Sequence, residues 1–256
     1  MDSDCSAANL LQVLHAQTGL VCLVGAGGKK TTLYRLALMH SGRVGVTSTV
    51  LIHPFPKLPA AEIISDEAAI VPAVVKAAAM RRMVAFALTS TKHERLGGLP
   101  CAQVAHIHAV ASFDVTLIKA DGARGRRIKA PGANEPQIPE GTSTVIPVVS
   151  TRVIGRRLTE RVAHRIERIT AVTSARPGEI ITSEHVARLL TSEQGSLKNA
   201  GDAAIVPLIN MVDNAELEVV AREAAYRALE LCQGRFERVV LTSMRRTDPV
   251  VAVIER

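Results

Sequence analysis

Apolar positions along the chain fall into two rhythms. Continuous apolar runs of a few residues read as strands buried on both faces. Apolar residues three or four apart read as amphipathic helices. A first helix is expected over Asn9 to Gln17, where Leu10, Leu11, Val13 and Leu14 form one face. Leu20 to Val24 (LVCLV) is the first strand, broken by Gly25, Gly27 and Gly28, and a helix follows from about Lys30 to His40, stopped at Ser41-Gly42. Val44 to Val50 is a second strand and Phe55 to Ala61 a proline-rich loop. Asp66 then opens a helix with Ala69, Val71, Val74, Val75 and Ala78 inside it. Met83 to Leu88 is a third strand, Pro100 to Ala111 a helix and Asp114 to Ala120 a fourth strand.

Thr144 to Val149 is expected as a fifth strand. From Arg152 to about Ala200 the pattern becomes helical and arginine-rich, near Leu158–Ala171 and Ser183–Leu190, which reads as a small helical insertion or lid. Ala203 to Ile209 is a sixth strand, Glu216 to Cys232 a long amphipathic helix, and Val239–Ser243 with Val250–Ile254 a closing pair of strands at a sheet edge. Strands alternating with helices from end to end predict an α/β fold. The expected architecture is a mostly parallel, doubly wound sheet with helices on both faces, in one domain spanning residues 1–256.

Composition narrows this picture. There is no Trp, with two Tyr and four Phe in 256 residues, so the core must be aliphatic, as parallel sheets prefer. The formal charge of +7 suits anionic partners. Nucleic acid is disfavoured among them, because aromatic residues for base stacking are scarce and no basic tail is present. Cys5, Cys22, Cys101 and Cys232 are far apart with no C-x-x-C, so neither zinc nor a disulfide framework is indicated. Cys22 reads as a core thiol. His106 and His108 are two apart on a helix and face different sides, a poor spacing for shared metal ligation. No signal peptide and no membrane-length apolar run is visible, which gives a cytoplasmic expectation.

The candidate chemistry sits at the first strand–helix junction, VGAGGKKTTL. Glycines let several backbone N–H groups converge, the helix N-terminus adds partial positive charge, a lysine can reach phosphate oxygens and a hydroxyl can hold Mg²⁺. This is the order of a P-loop, here with Gly25, Ala26, Gly27, Gly28, Lys29, Lys30, Thr31 and Thr32 as candidate ligand-binding residues. The long form G-x-x-x-x-G-K-[ST] fails, because Leu23 stands where its first glycine belongs. The shorter G-x-x-G-K-[ST] fits Gly25, Gly28 and Lys29 but meets Lys30 where a hydroxyl is expected. Either Lys29 is the phosphate lysine, or the register slips to Lys30–Thr31. Thr31 is then the candidate metal hydroxyl.

Asp121 closes the fourth strand, as the Mg²⁺-holding carboxylate of a P-loop protein does. The basic loop after it offers Arg124, Arg126, Arg127 and Lys129. Arg124 and Arg126 are candidates for stabilising transferring charge or holding a second anion. Thr47, Ser48 and Thr49 end the second strand, where hydroxyls could face the glycine loop. Asn210 and Asp213 follow the sixth strand in the spacing of N-K-x-D, whose aspartate reads the guanine edge, with Met211 where lysine belongs.

The segments VGAGGKKTTLYRLA, VTSTVLIHP, KADGARGRRIKAPGANEPQIP and LINMVDNAE resemble the selenium-dependent hydroxylase accessory proteins of the YqeC type, in the same order and over most of the chain. The resemblance implies a P-loop-like fold. It also implies an ATP- or GTP-dependent, Mg²⁺-assisted step in maturing selenium-dependent molybdenum hydroxylases or their cofactor. The implied partners are a phosphorylated pterin or molybdenum cofactor and a target hydroxylase. An alternative within the same resemblance is a cofactor-binding chaperone that does not hydrolyse nucleotide. Members usually carry threonine at the Lys30 position, glutamate at Lys119 and lysine at Met211, so each departure removes a group expected to assist metal or base binding.

Overall fold

The structure, a computed structural model, describes residues 9–256; Cys5 lies outside them. In chain order the helices and strands are α1 (Leu10–Val13), β1 (Gly19–Gly25), α2 (Lys29–Met39), β2 (Val44–Ser48), β3 (Ala61–Ser65), α3 (Ile70–Met80), β4 (Met83–Leu88), α4 (Cys101–Val110) and β5 (Val115–Lys119). They continue as β6 (Ile128–Lys129), β7 (Thr142–Ser150), β8 (Ala163–His164), α5 (Ile166–Thr173), α6 (Ser183–Thr191), β9 (Ala204–Ile205), β10 (Leu208–Asn210), α7 (Ala215–Leu231), β11 (Arg238–Thr242) and β12 (Val250–Glu255).

The main sheet runs β12-β11-β10-β7-β1-β5-β2-β4-β3, with β9 paired to β7. Every pairing is parallel except β11 with β12. The chain leaves β1 toward β2, β3 and β4, returns to place β5 beside β1, then lays β7, β10 and β11 on the opposite side. The direction of winding therefore reverses at β1, and ligands of such sheets gather at the carboxyl ends of the strands at that point.

Alternation along β1 explains the two layers. Leu20, Cys22 and Val24 face one core, with α3 (Ile70, Val74, Ala78), α4 (Val104, Ile107) and α7 (Ala221, Ala224, Ala225, Ala228). Val21 and Leu23 face the other, with Leu10 and Leu14 beneath and Leu33, Leu36 and Ala37 of α2. The alanine stripe on α7 lets that helix lie close to the sheet. Ile169 of α5 and Val186 and Leu190 of α6 join the first core.

Four segments differ from the sequence pattern. The first helix is four residues long, because His15 takes a positive φ of 49° and ends it. Ala61–Ser65 is an edge strand where the pattern predicted the end of a loop; its half-buried residues lack a continuous apolar run. Pro207 divides the expected sixth strand into β9 and β10, since proline offers no N–H to the ladder. Of the expected Leu158–Ala171 helix only the part from Ile166 onward is helical, within α5 (Ile166–Thr173); Ala163–His164 pairs with β6 instead, and Arg165 at φ 64° starts the helix late.

Candidate phosphate-binding site

The glycine loop lies at the carboxyl end of β1, between the tips of β5 and β7. Gly25, Gly27 and Gly28 have φ of 87°, 105° and 112°, the left-handed region that L side chains rarely enter. Added Cβ atoms would overlap the Val148 carbonyl, the Ser150 N–H and the Asn210 amide respectively. Two loop amides are anchored: Gly25 N donates to Asp121 Oδ2 at 2.9 Å and Ala26 N to the Val148 carbonyl at 2.8 Å. The next five N–H groups, Gly27 to Thr31, find no acceptor among the described residues. The first helical bond of this turn is Thr32 N to Gly28 O at 3.0 Å. The first turn of α2 has no acidic side chain. Unpaired amides at a helix start, with the partial positive charge of the helix, make a concavity for an anion.

Lys29 starts α2 and is 6% exposed. Its ammonium folds back onto the Gly25 carbonyl and lies 2.9 Å from Asp121 Oδ1, a charge contact set off the ideal hydrogen-bond direction. Lys129 Nζ approaches Asp121 Oδ2 at 2.9 Å and Glu135 Oε2 at 2.7 Å, and donates to the Gly122 carbonyl at 2.7 Å. Arg165 completes the chain with a 2.6 Å contact to Glu135. Burial by itself would raise the Asp121 carboxyl, but Lys29 and Lys129 reverse this and hold it below the usual carboxylate range. Glu135, opposed by burial in the same way, is brought down to about 2 by Lys129 and Arg165.

Lys119 sits opposite Leu23 of β1 and Ser48 of β2, beneath the loop, and donates to the Leu51 carbonyl at 2.9 Å. Burial, reinforced by Lys29, lowers its ammonium to about 7. Lys30 is half-buried on the same side of the loop. Together with Arg95 and Lys119 it lowers His53, whose first cause of depression is its own desolvation.

The remaining sequence candidates divide clearly. Thr31 is exposed, whereas Thr32 is buried with its hydroxyl unpartnered. Thr47 does not present its hydroxyl to the loop: it is wholly buried and donates to the Phe86 carbonyl at 2.7 Å, tying β2 to β4. Ser48 and Thr49 likewise donate to the backbone, at Lys119 and Gln137. Arg124 is exposed at φ 48° and Arg126 half-exposed, both on the loop after Asp121. Asn210 is buried and works as a strut: its amide donates to the Gly27 carbonyl at 2.9 Å, and its oxygen accepts from Thr242 at 3.1 Å. Asp213 accepts from Ser243 at 2.6 Å and pairs with Arg152. His108 bonds Thr116 at 2.9 Å, and buried Cys22 has its thiol pushed up to about 12. Glu135 lies in the KADGARGRRIKAPGANEPQIP segment, which gave it no role of its own; Arg165, Ser150, Thr242 and Ser243 carried no sequence signal and enter the site only through the fold.

These donors do not fit a Mg²⁺ ion. Mg²⁺ requires an octahedron of hard oxygens. Lys30 occupies the position of the expected hydroxyl, Thr31 points to solvent and Asp121 is shared between two ammonium groups and a backbone N–H. Among the described residues no cluster of three His, Cys, Asp or Glu could hold a metal. No described helix is long and apolar enough to cross a membrane.

A family model described as YqeC protein matches residues 21–167, which is more than half of the chain. The match contains the glycine loop, Asp121 and the Lys129–Glu135–Arg165 chain; Asn210 and Asp213 lie beyond it. The Escherichia coli (strain K12) protein named "Uncharacterized protein YqeC" is 29% identical over 186 residues, covering 70% of each chain. The chain belongs to the YqeC family.

Proposed function

We propose that this protein binds a nucleoside triphosphate through the glycine loop, as an accessory factor in the maturation of selenium-dependent molybdenum hydroxylases. The carrying observation is the row of five unpaired amides from Gly27 to Thr31 beside the buried Lys29 ammonium. On this reading the β- and γ-phosphate oxygens take those amides, and Lys29 turns from Gly25 and Asp121 toward them. Asp213, held by Ser243 and Arg152 just beyond β10, is the candidate for reading a guanine edge if the ligand is GTP. Arg124 and Arg126, free of ion pairs to any described residue, are the candidates for a second anion such as a pterin phosphate. The hydroxylase pathway rests on the resemblance of the motifs and not on the geometry.

A second reading draws on Asp121. A carboxylate ion-paired to both Lys29 and Lys129 and accepting from Gly25 N is a weak base for activating water, which favours a site that holds a phosphorylated ligand without turnover. Calorimetric titration with GTP and ATP, followed by phosphate-release assays, separates these. Binding that is lost in Lys29→Ala supports the site, and phosphate release above background then supports turnover. Equal affinity in wild type, Lys29→Ala, Lys30→Ala and the double variant would sink the assignment.

A further inference from the structure

We infer that the loop binds its phosphate ligand as the metal-free anion, with Lys30 and Lys119 supplying the positive charge that Mg²⁺ brings to P-loop sites. This rests on the nucleotide-binding reading and specifies its chemical form. The position after the phosphate lysine, where a hydroxyl would hold the ion, is the half-buried Lys30. Two residues before Asp121, and on the same side of β5, stands Lys119, 8% exposed and anchored by the Leu51 carbonyl at 2.9 Å. The β2-side segment is cationic as well, because Arg95 bonds the ring of His53 there. Neither Lys30 nor Lys119 has a carboxylate within ion-pair distance among the described residues, whereas the carboxylates that are near, Asp121 and Glu135, are neutralised by Lys29, Lys129 and Arg165. A dication carried in on the phosphates would meet repulsion from these ammonium groups at short range, and both nearby carboxylates are already committed to lysine and arginine. A triphosphate without metal carries up to four negative charges, and an anion beside Lys119, whose buried ammonium titrates near 7 without ligand, draws the proton onto it.

The test is titration of the purified protein with inorganic tripolyphosphate, GTP and ATP, once in EDTA and once in excess Mg²⁺. The expected result is binding in EDTA at least as tight as in Mg²⁺. In the double variant Lys30→Thr with Lys119→Glu, affinity for the metal-free anion should fall on the order of tenfold or more, while the Mg²⁺ complex gains relative to it. Binding seen only in Mg²⁺ would overturn the inference and leave the nucleotide reading standing. No binding of any of the three in either condition would overturn both. Metal-free binding that needs Lys29 but is unchanged in the double variant would overturn the assignment to Lys30 and Lys119. The comparison of EDTA with Mg²⁺ on the unaltered protein decides the matter even if the double variant fails to fold.

Discussion

Asn210 and Gly27 are 183 residues apart in sequence, yet the Asn210 amide donates to the Gly27 carbonyl at 2.9 Å in a site closed to solvent. This one bond joins β10 to the glycine loop, and Thr242 on the next strand holds the other end of the same side chain.

Asn210→Ala should therefore loosen the loop as well as destabilise the fold. It leaves the buried Gly27 carbonyl and the Thr242 hydroxyl without a partner, a cost of about 1–3 kcal/mol for such groups. Urea denaturation should show the loss of stability. Titration with GTP should show an affinity loss, which a purely global effect would not produce under conditions where the variant remains folded.

Gly28→Ala tests the loop from the other side. An L side chain at φ 112° is strained, and its Cβ would collide with the Asn210 amide. The strain should cost about 1–3 kcal/mol, with anion binding lost. Gly125→Ala, at φ 74° with open space around it, should destabilise less and leave anion binding intact.

Lys129 is the buried centre of the charge chain, its side chain fully enclosed between Asp121 and Glu135. Lys129→Met should destabilise by about 3–5 kcal/mol, because it leaves a buried carboxylate undercompensated. Adding Asp121→Asn to that variant should recover part of the loss, since the orphaned charge is then removed. A double-mutant cycle by chemical denaturation measures the recovery; strictly additive losses would refute the coupling.

Acid should weaken the same chain. Glu135 titrates at about 2 in the folded protein against an ordinary value of 4.5, so the unfolded chain binds more protons between these limits. Its contribution is complete above about pH 4.5 and fades as pH falls toward about 2. Lys119 acts at the other end. With its folded value near 7 against an ordinary 10.5, the unfolded chain again binds more protons, and stability should rise with pH across that interval. In Lys119→Met the alkaline rise should flatten, and in Glu135→Gln the acid slope should shrink. Thermal melting across pH reads both.

Much of the architecture was legible in the chain. Strand runs such as Leu20–Val24 and Met83–Leu88 are continuous and aliphatic, as strands covered on both faces must be. The glycine cluster marks the end of β1 in a tight loop, since glycine readily takes the positive φ found there, and Asp121 falls just past β5 because the apolar run stops there. Less legible were segments whose conformation is imposed from outside. The strand at Ala61–Ser65 pairs only with β4, at the edge of the sheet, and has no continuous apolar run to announce it.

The sequence by itself determined the alternation of strand and helix, the place of the glycine loop and the residue types within it, because period and turn chemistry are local properties. Only the tertiary structure decided which of those residues face each other. Insertion of β5 between β1 and β2 brings Asp121 to the Gly25 amide across 96 residues, and it sets Lys119 beneath the loop. The same pleat directs the Thr47 hydroxyl to the Phe86 carbonyl, away from the loop. Lys29 and Lys129 close on Asp121, and Lys129 and Arg165 on Glu135, because a buried carboxylate requires compensating charge and the fold supplies it from wherever the chain passes.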